Sequence, residues 1–268
     1  MDYDMVIADP AKNITVFVLD PVPPAERAQV AGAVLADPSL GAEQVGFVMP
    51  PAGNGAPRWR LEMMGGEFCG NAARSFGLYV ARRTGLSGKA CLELEVSGAD
   101  SPVKVRVDTE RGLAEASMPP VLVRETLAYG GADLPVYVFE GIAHVIAPDI
   151  RPSEPAFGEI RAILEREAKN GASCDAAGVM FWDSAARFMT PAVYVRSTDS
   201  LVFESSCGSG SAALGLYLTR HMNGGEKLIP LKQPGGVIEV RVKKRPGKAA
   251  AVSIGGSVTL INNPAAER

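Results

Sequence analysis

Two short stretches place a thiol directly before a glycine and an apolar, helix-forming run: Cys69-Gly70-Asn71-Ala72 and Cys207-Gly208-Ser209-Gly210. Aligning the cysteines repeats a twelve-residue window, Cys69 to Val80 against Cys207 to Leu218. The matches are the Cys, the next Gly, and Gly77-Leu78-Tyr79 against Gly215-Leu216-Tyr217. The windows lie 138 residues apart (69 to 207), about half the chain. A motif displaced in this way is what a duplication leaves, so the sequence reads as two related halves with one thiol each. A cysteine at the start of a helix faces unpaired backbone N–H groups and the positive end of the macrodipole. That placement predicts a thiol pKa below its usual value of about 8.5 and an anchor for a carboxylate. Glycine after the cysteine leaves room for a small ligand. Two such helix ends facing each other would hold one carboxylate jointly, with a sulfur on either side of its α-carbon. One thiolate would remove the α-proton and the other thiol would return one to the opposite face, a two-base racemisation that needs neither pyridoxal phosphate nor metal. The carbanion's charge would spread into the carboxylate, stabilised by the helix N-termini as in an oxyanion hole.

Composition narrows the setting. The 268 residues are 47% hydrophobic, ample for a core, and fit two domains of ordinary size. A net charge of −3 and the lack of a dense basic block argue against nucleic acid or a membrane as partner; Lys243-Lys244-Arg245 reads as a solvated turn. No apolar run has spanning length, and the start, Met1-Asp2-Tyr3-Asp4, is acidic where a secretory signal would be basic. The expectation is a cytoplasmic protein acting on a small molecule. Its cysteines, Cys69, Cys91, Cys174 and Cys207, show no CxxC spacing, which argues against a disulfide framework and a zinc site. Cys91, in the alternating run Ala90 to Val96, is expected to be buried, and Cys174 to sit in the loop Asn170 to Asp175.

The elements that must position the two thiols follow from periodicity. Strands are expected at Thr15–Leu19, Val45–Met49 and Trp59–Met63, a helix at Ala25–Leu35 opened by Pro23-Pro24, and a loop at Pro50–Gly55. From Ala72 to Arg83 apolar residues cover most of the circumference, which predicts a helix buried nearly all round. Strands near Cys91–Val96, Val103–Val107 and Leu113–Ala116 close the first half, and Met118-Pro119-Pro120 marks the boundary. The second half reads as strands at Val136–Glu140, His144–Ala147, Gly178–Trp182 and Ala192–Val195, an amphipathic helix at Phe157–Lys169, and a second buried helix at Ala212–Arg220. Gly235-Gly236 reads as turn geometry. The domains are expected at 1–118 and 119–261, with the segment 262–268 returning to the first.

Together, Gly66-Glu67-Phe68-Cys69-Gly70-Asn71-Ala72, Ser206-Cys207-Gly208-Ser209-Gly210 and Gln233-Pro234-Gly235-Gly236 resemble the diaminopimelate epimerase superfamily over nearly the whole chain. Within it, Glu43-Gln44-Val45-Gly46-Phe47, Glu67-Phe68-Cys69 and the Gln233 run are most similar to the histidine racemases that supply D-histidine for staphylopine-type metallophores. The resemblance implies an α+β fold of two pseudo-symmetric β-barrel-like domains, each wrapped round a central helix, with the site in the cleft between them. It implies catalysis by Cys69 and Cys207, no cofactor, and an amino-acid substrate bound by Asn13, Glu43, Gln44, Gly70, Asn71, His144, Gly208 and Ser209. It also suggests a homodimer. Having both cysteines separates the chain from the superfamily's isomerase and dehydratase branches.

Departures from the epimerase pattern bear on the substrate. Where diaminopimelate epimerases carry a Glu-Arg pair before the second cysteine, this chain has Thr198 and Asp199. Ile142-Ala143-His144 replaces Asn-Pro-His, and Arg60 stands where a substrate-binding asparagine is found. Losing the arginine removes a bidentate grip on a distal carboxylate, which Arg60 would have to replace. A substrate with one carboxylate is therefore favoured; histidine fits, with Glu43 facing its imidazole. Diaminopimelate or another amino acid is the alternative substrate. A non-catalytic amino-acid-binding protein or a thiol redox sensor is the alternative from another class. His144 reads equally as a satisfied strand histidine, Glu43 as a loop carboxylate and Asn13 as a turn residue.

Overall fold

The structure, a computed structural model, describes residues 3–51, 58–167 and 174–262. Most of the expected loops at Pro50–Gly55 and Asn170–Asp175, and nearly all of the returning segment 262–268, lie outside the described residues. The elements run β1 (Met5–Asp9), β2 (Thr15–Val18), α1 (Arg27–Leu35), β3 (Gln44–Met49), β4 (Arg60–Met63), α2 (Gly70–Arg83), β5 (Lys89–Val96), β6 (Val103–Asp108) and β7 (Leu113–Ser117). They continue with β8 (Val123–Tyr129), β9 (Ala132–Phe139), β10 (Ile142–Pro148), α3 (Glu154–Glu167), β11 (Ala176–Asp183), β12 (Phe188–Val195), β13 (Ser200–Phe203), α4 (Gly208–Leu218), β14 (Gly225–Gln233), β15 (Gly236–Lys244), β16 (Ala251–Ser257) and β17 (Thr259–Asn262). Strands dominate and helices are few, a mixed, sheet-rich α+β fold.

The chain forms two compact units, one from its start to Ser117 together with the stretch from Gly255 onward, the other Met118–Ile254. In the first, β1 pairs antiparallel with β2, β2 runs parallel to β3 across α1, β3 is antiparallel to β4, β4 is parallel to β5 across α2, and β5 is antiparallel to β6. In the second, β9 and β10 are antiparallel, β10 and β11 parallel across α3, β11 and β12 antiparallel, β12 and β14 parallel across α4, and β14 and β15 antiparallel. The pairing sequence is the same in both, with β13 as an insertion in the second. Parallel neighbours need a crossover, and a helix supplies each one. In the first unit β7 continues the ladder from β6, and β17 returns to pair antiparallel with β1.

The cysteine-bearing helices are the cores of the units. Residues Gly70–Ala81 of α2 are all buried, packed by β1, β5, β6 and β7. Gly208 and Gly210–Leu216 of α4 are buried likewise, against β10, β11 and β15. Both helices start at the glycine directly after the cysteine, earlier than the apolar pattern suggests, because the cysteine itself takes the N-cap position. The repeated glycine of the Gly-Leu-Tyr run has a packing reason. A Cβ on Gly77 would lie 2.4 Å from Val105 Cγ1 of β6, and one on Gly215 would lie 2.5 Å from Val240 Cγ1 of β15. In each unit the equivalent strand therefore presses a valine onto bare helix backbone.

Two departures from these expectations have physical reasons. Cys91 is exposed rather than buried. On β5 the inward face is Leu92, Leu94 and Val96, and strict alternation puts Cys91 in phase with Glu93, opposite Arg106 of β6. β1 and β8 were not anticipated: Met5-Val6-Ile7-Ala8 is a short unbroken apolar run, and β8 carries charged Arg124 and Glu125 amid its alternation. The expected turn is found: Pro234 and Gly235 link β14 to β15, and Gly236 opens β15 at φ 145.

Substituting Gly77→Ala or Gly215→Ala should each destabilise by about 1–3 kcal/mol through overpacking against valine. Urea unfolding reads this loss, and Val105→Ala should recover part of it in the Gly77→Ala background but none in the Gly215→Ala background.

Candidate functional site

Each unit holds one constellation at the N-terminus of its buried helix. Cys69 caps α2 at φ −118, ψ 114, and Cys207 caps α4 at φ −122, ψ 117. Both carbonyls accept the first helical bond, from Ala73 N–H at 2.9 Å and from Ser211 N–H at 3.0 Å. In the first unit the Ala72 N–H points at Cys69 Sγ from 3.4 Å, and the Asn71 N–H and the Gln44 side chain also hydrogen-bond it. The unpaired N–H groups of the first turn thus serve the sulfur directly.

A line of amides runs beside Cys69. Arg74 Nε donates to Asn71 Oδ1 at 3.1 Å, which turns the Asn71 Nδ2 toward Asn13 Oδ1, also at 3.1 Å. Gln44 Nε2 donates to the same Asn13 oxygen at 2.9 Å, leaving Asn13 Nδ2 to donate to Glu43 Oε2 at 2.8 Å. Asn13, Asn71 and Arg74 are buried, whereas Glu43 is exposed. Gln44 Oε1 is buried and accepts no hydrogen bond among the described residues, an acceptor held ready inside the site. The structure therefore brings Asn13, Glu43, Gln44, Gly70 and Asn71 together with Cys69.

In the second unit, the Cys207 N–H donates to Gln233 Oε1 at 2.9 Å, and Gln233 Nε2 donates to Ser211 Oγ at 2.9 Å. Ser209 Oγ lies 3.8 Å from Cys207 Sγ and 2.8 Å from His144 Nε2. His144 is fully buried, its Nδ1 without a hydrogen bond among the described residues and packed against Gly178, where a Cβ would lie 2.3 Å away. Gly208, Ser209 and His144 thus share one locality with Cys207. The residue two after each cysteine plays the same part in both units, since Asn71 reaches Asn13 just before β2 and Ser209 reaches His144 on the equivalent strand β10.

Burial overrides the helix ends electrostatically. Cys69 keeps part of its surface open. Even so, the protein around its sulfur, helped by the Glu67 carboxylate, pushes the thiol up to about 11 against the pull of the Ala72 and Asn71 N–H groups and Gln44. Burial pushes the Cys207 thiol well up as well, reinforced by Glu204, with the Gly210 N–H and Ser209 opposing. The lowered pKa expected from helix-end placement is thus reversed, because desolvation of a thiolate outweighs a few N–H donors. His144 moves the other way, down to about 3, since burial disfavours its charged form.

Among the described residues no three His, Cys, Asp or Glu side chains gather as a cation site. Arg60, considered as a replacement grip for a distal carboxylate, is committed elsewhere. Its Nε and one terminal nitrogen donate to Glu62 Oε2 at 2.9 and 2.7 Å, and the other terminal nitrogen lies 3.6 Å from Glu95 Oε2. Asp199 accepts the Tyr194 hydroxyl at 2.7 Å. No described helix is long and apolar enough to cross a membrane.

The family described as the histidine racemase CntK N-terminal domain matches residues 3–266. This chain belongs to that family. A histidine racemase from Fusobacterium nucleatum subsp. nucleatum is 31% identical over 242 residues, 88% of each chain. One from Staphylococcus aureus is 28% identical over 260 residues, 94% of this chain and 93% of that one. A crystal structure of a probable proline racemase from Agrobacterium radiobacter, only 10% identical, shares the fold with a TM-score of 0.64 over 97% of this chain and 92% of its own. As a member of the histidine racemase family the chain is an isomerase, a racemase independent of pyridoxal phosphate.

For this family member, sequence reasoning passed over Arg74, Glu204 and Gln233's contact with Cys207. Arg74 was legible in principle: it is the one charged side chain within the buried stretch Gly70–Ala81, where a cation needs a dedicated set of acceptors.

Two outcomes are expected. Alkylation of Cys69 by iodoacetamide, followed by peptide mass spectrometry, should climb about tenfold per pH unit from 7 to 10, because only thiolate reacts; a plateau by pH 8 would mean that the helix N-terminus outweighs burial. The second concerns acid stability. An unfolded histidine takes up its proton near 6.5, whereas folded His144 stays neutral to about 3. The unfolded state binds more protons between these values, so stability falls as pH drops through that window. His144→Gln should flatten the slope of unfolding free energy between pH 6.5 and 4 by close to one proton, read from urea melts at stepped pH.

Proposed function

We propose that this chain interconverts L-histidine and D-histidine, with Cys69 and Cys207 as its acid/base pair. In this reading it consists of two pseudo-symmetric domains, the chain passing from one to the other near Met118, each a barrel-like wrap of strands round its cysteine-bearing helix. What supports the two-thiol chemistry above all is the recurrence of one geometry. Each unit presents a cysteine as N-cap of a buried helix, with backbone angles that agree within a few degrees, on equivalent elements of one pairing sequence. Two inert buried thiols have no reason to keep that position twice.

The scheme is a proton abstraction and return. The thiolate of one cysteine takes the α-proton, the thiol of the other delivers a proton to the opposite face, and the roles exchange in the reverse direction. In the substrate complex the pair holds one proton between its members, the second having been released to solvent, and titrates as a unit. Burial holds both thiols protonated before a substrate binds. The substrate's ammonium brings the positive charge that favours thiolate, so the base forms on binding. Charge developing on the carboxylate meets the helix N-termini at Gly70 and Gly208.

Histidine as substrate is supported by what surrounds Asn13. Glu43 is aligned by Asn13 at 2.8 Å as an acceptor for an imidazole N–H, and Gln44 Oε1 is a second buried acceptor. At the positions considered for gripping a distal carboxylate, Arg60 is paired with Glu62 and Glu95, and Thr198 and Asp199 stand in place of the epimerases' Glu-Arg pair.

The test is deuterium incorporation at the α-carbon in D₂O, under reducing conditions and without added cofactor, with L-histidine beside LL-diaminopimelate and chiral analysis of products. Exchange and D-histidine formation are expected with histidine alone; exchange with diaminopimelate instead would overturn the substrate assignment. Cys69→Ser and Cys207→Ser should each lower turnover by about 10²–10⁴-fold or more, the range of general acid–base contributions, with an unchanged circular dichroism spectrum. Turnover within tenfold of wild type in either variant would sink the two-thiol scheme.

A further inference from the structure

Arg74 is the largest fully buried side chain among the described residues. Its guanidinium stays charged at any pH the fold survives, and its planar fork fixes donor directions. Nε donates to Asn71 Oδ1, one terminal nitrogen to the Pro10 carbonyl and the other to the Ser257 carbonyl, each at 3.1 Å. Pro10 opens the turn before β2, Ser257 ends β16, and Arg74 stands on the second turn of the helix that begins at Cys69. The fork therefore fixes α2 to both neighbouring chain segments while one donor remains aimed at the site.

That donor sets the sense of everything beyond it. An asparagine amide can point either way, but a guanidinium N–H can only face an oxygen. Asn71 must present Oδ1 to Arg74 and hence Nδ2 to Asn13 Oδ1. Asn13, already accepting from Asn71 and Gln44, has only Nδ2 left to offer, and Glu43 Oε2 receives it. The line runs from a buried cation to an exposed carboxylate with every dipole aligned, an arrangement in which each bond polarises the next. The equivalent position in the second unit, Ala212, has no such group.

We infer that Arg74 is a positioning residue for substrate recognition: through Asn71 and Asn13 it fixes the orientation of Glu43, and so sets affinity for the substrate's imidazole rather than the rate of proton transfer. The inference rests on the reading of Glu43 as imidazole partner. A purely structural clamp would cost stability and leave KM alone, whereas a group acting on the thiols would lower kcat.

Arg74→Lys keeps the charge and loses the fork. In it KM for L-histidine should rise about tenfold, with kcat within about threefold of wild type. The pair Arg74→Lys and Glu43→Gln should be non-additive, the double variant binding no more weakly than Glu43→Gln alone within about twofold, as expected for residues acting in series. Unchanged KM, a loss confined to kcat, or full additivity would overturn the inference. A readout independent of turnover is the exchange of the Asn13 and Asn71 side-chain amide protons by NMR: slow in wild type and at least tenfold faster in Arg74→Lys, with equal rates counting against the relay. If Glu43→Gln leaves KM unchanged while the amide protons still respond to Arg74→Lys, the imidazole assignment fails and the positioning stands. Asn13→Thr cuts the same line nearer Glu43 with Arg74's own bonds intact, so it serves if Arg74→Lys folds poorly. The same KM-weighted loss is expected there, and a wild-type KM would count against the relay.

Discussion

Everything in this protein is arranged around one demand: the first turn of a helix has N–H groups with no partner inside the helix, and here that turn is buried. A surface helix would leave these donors to water. In α2 and α4 the cysteine caps the turn, and in α2 the sulfur accepts from N–H groups directly. What makes the arrangement chemically useful is its imbalance. N–H donors favour thiolate, and burial opposes it more strongly, so both thiols are held above their usual range. A helix end at the surface would give a standing thiolate, exposed to oxidants and alkylators as well as to substrate.

The two units answer the same demand with different supporting residues. The backbone solution is common to both: pairing order, cap angles, and a valine pressed onto a bare glycine, Val105 on Gly77 and Val240 on Gly215. The side-chain solution diverges. Cys69 lies beside a charged, directional line of amides ending in Glu43, Cys207 beside a neutral histidine and a serine. The duplicated geometry is what the proposed two-thiol reaction rests on.

Much of this was legible in the residues. The repeat Cys-Gly…Gly-Leu-Tyr marks the elements where the halves agree, because a cap, a close ligand approach and a helix–strand contact each tolerate few residue types. Membership of the histidine racemase family was readable from Glu43-Gln44 and the cysteine motifs. The pKa of the thiols was not, since its sign depends on how much protein surrounds the sulfur, which no local pattern states. Cys91 was misjudged by residue type although its phase with Glu93 pointed outward. Arg74 was overlooked because a helix read as apolar all round hides one cation whose acceptors, Pro10 and Ser257, are distant in sequence.

The bond from Arg74 to the Ser257 carbonyl spans 183 residues, and β17 lies against β1 across an even longer interval of chain. During synthesis the unit that carries Cys69 must wait for that returning stretch before its sheet and its buried cation are complete. The unit carrying Cys207 is continuous from Met118 to Ile254 and has all its own strands as soon as they emerge. Domains usually mature in the order in which they are translated. Here the half that leaves the ribosome first is completed late: β1, β5, β6 and β7 already pack its helix, but one acceptor of its guanidinium and one neighbour of β1 arrive only with the returning stretch.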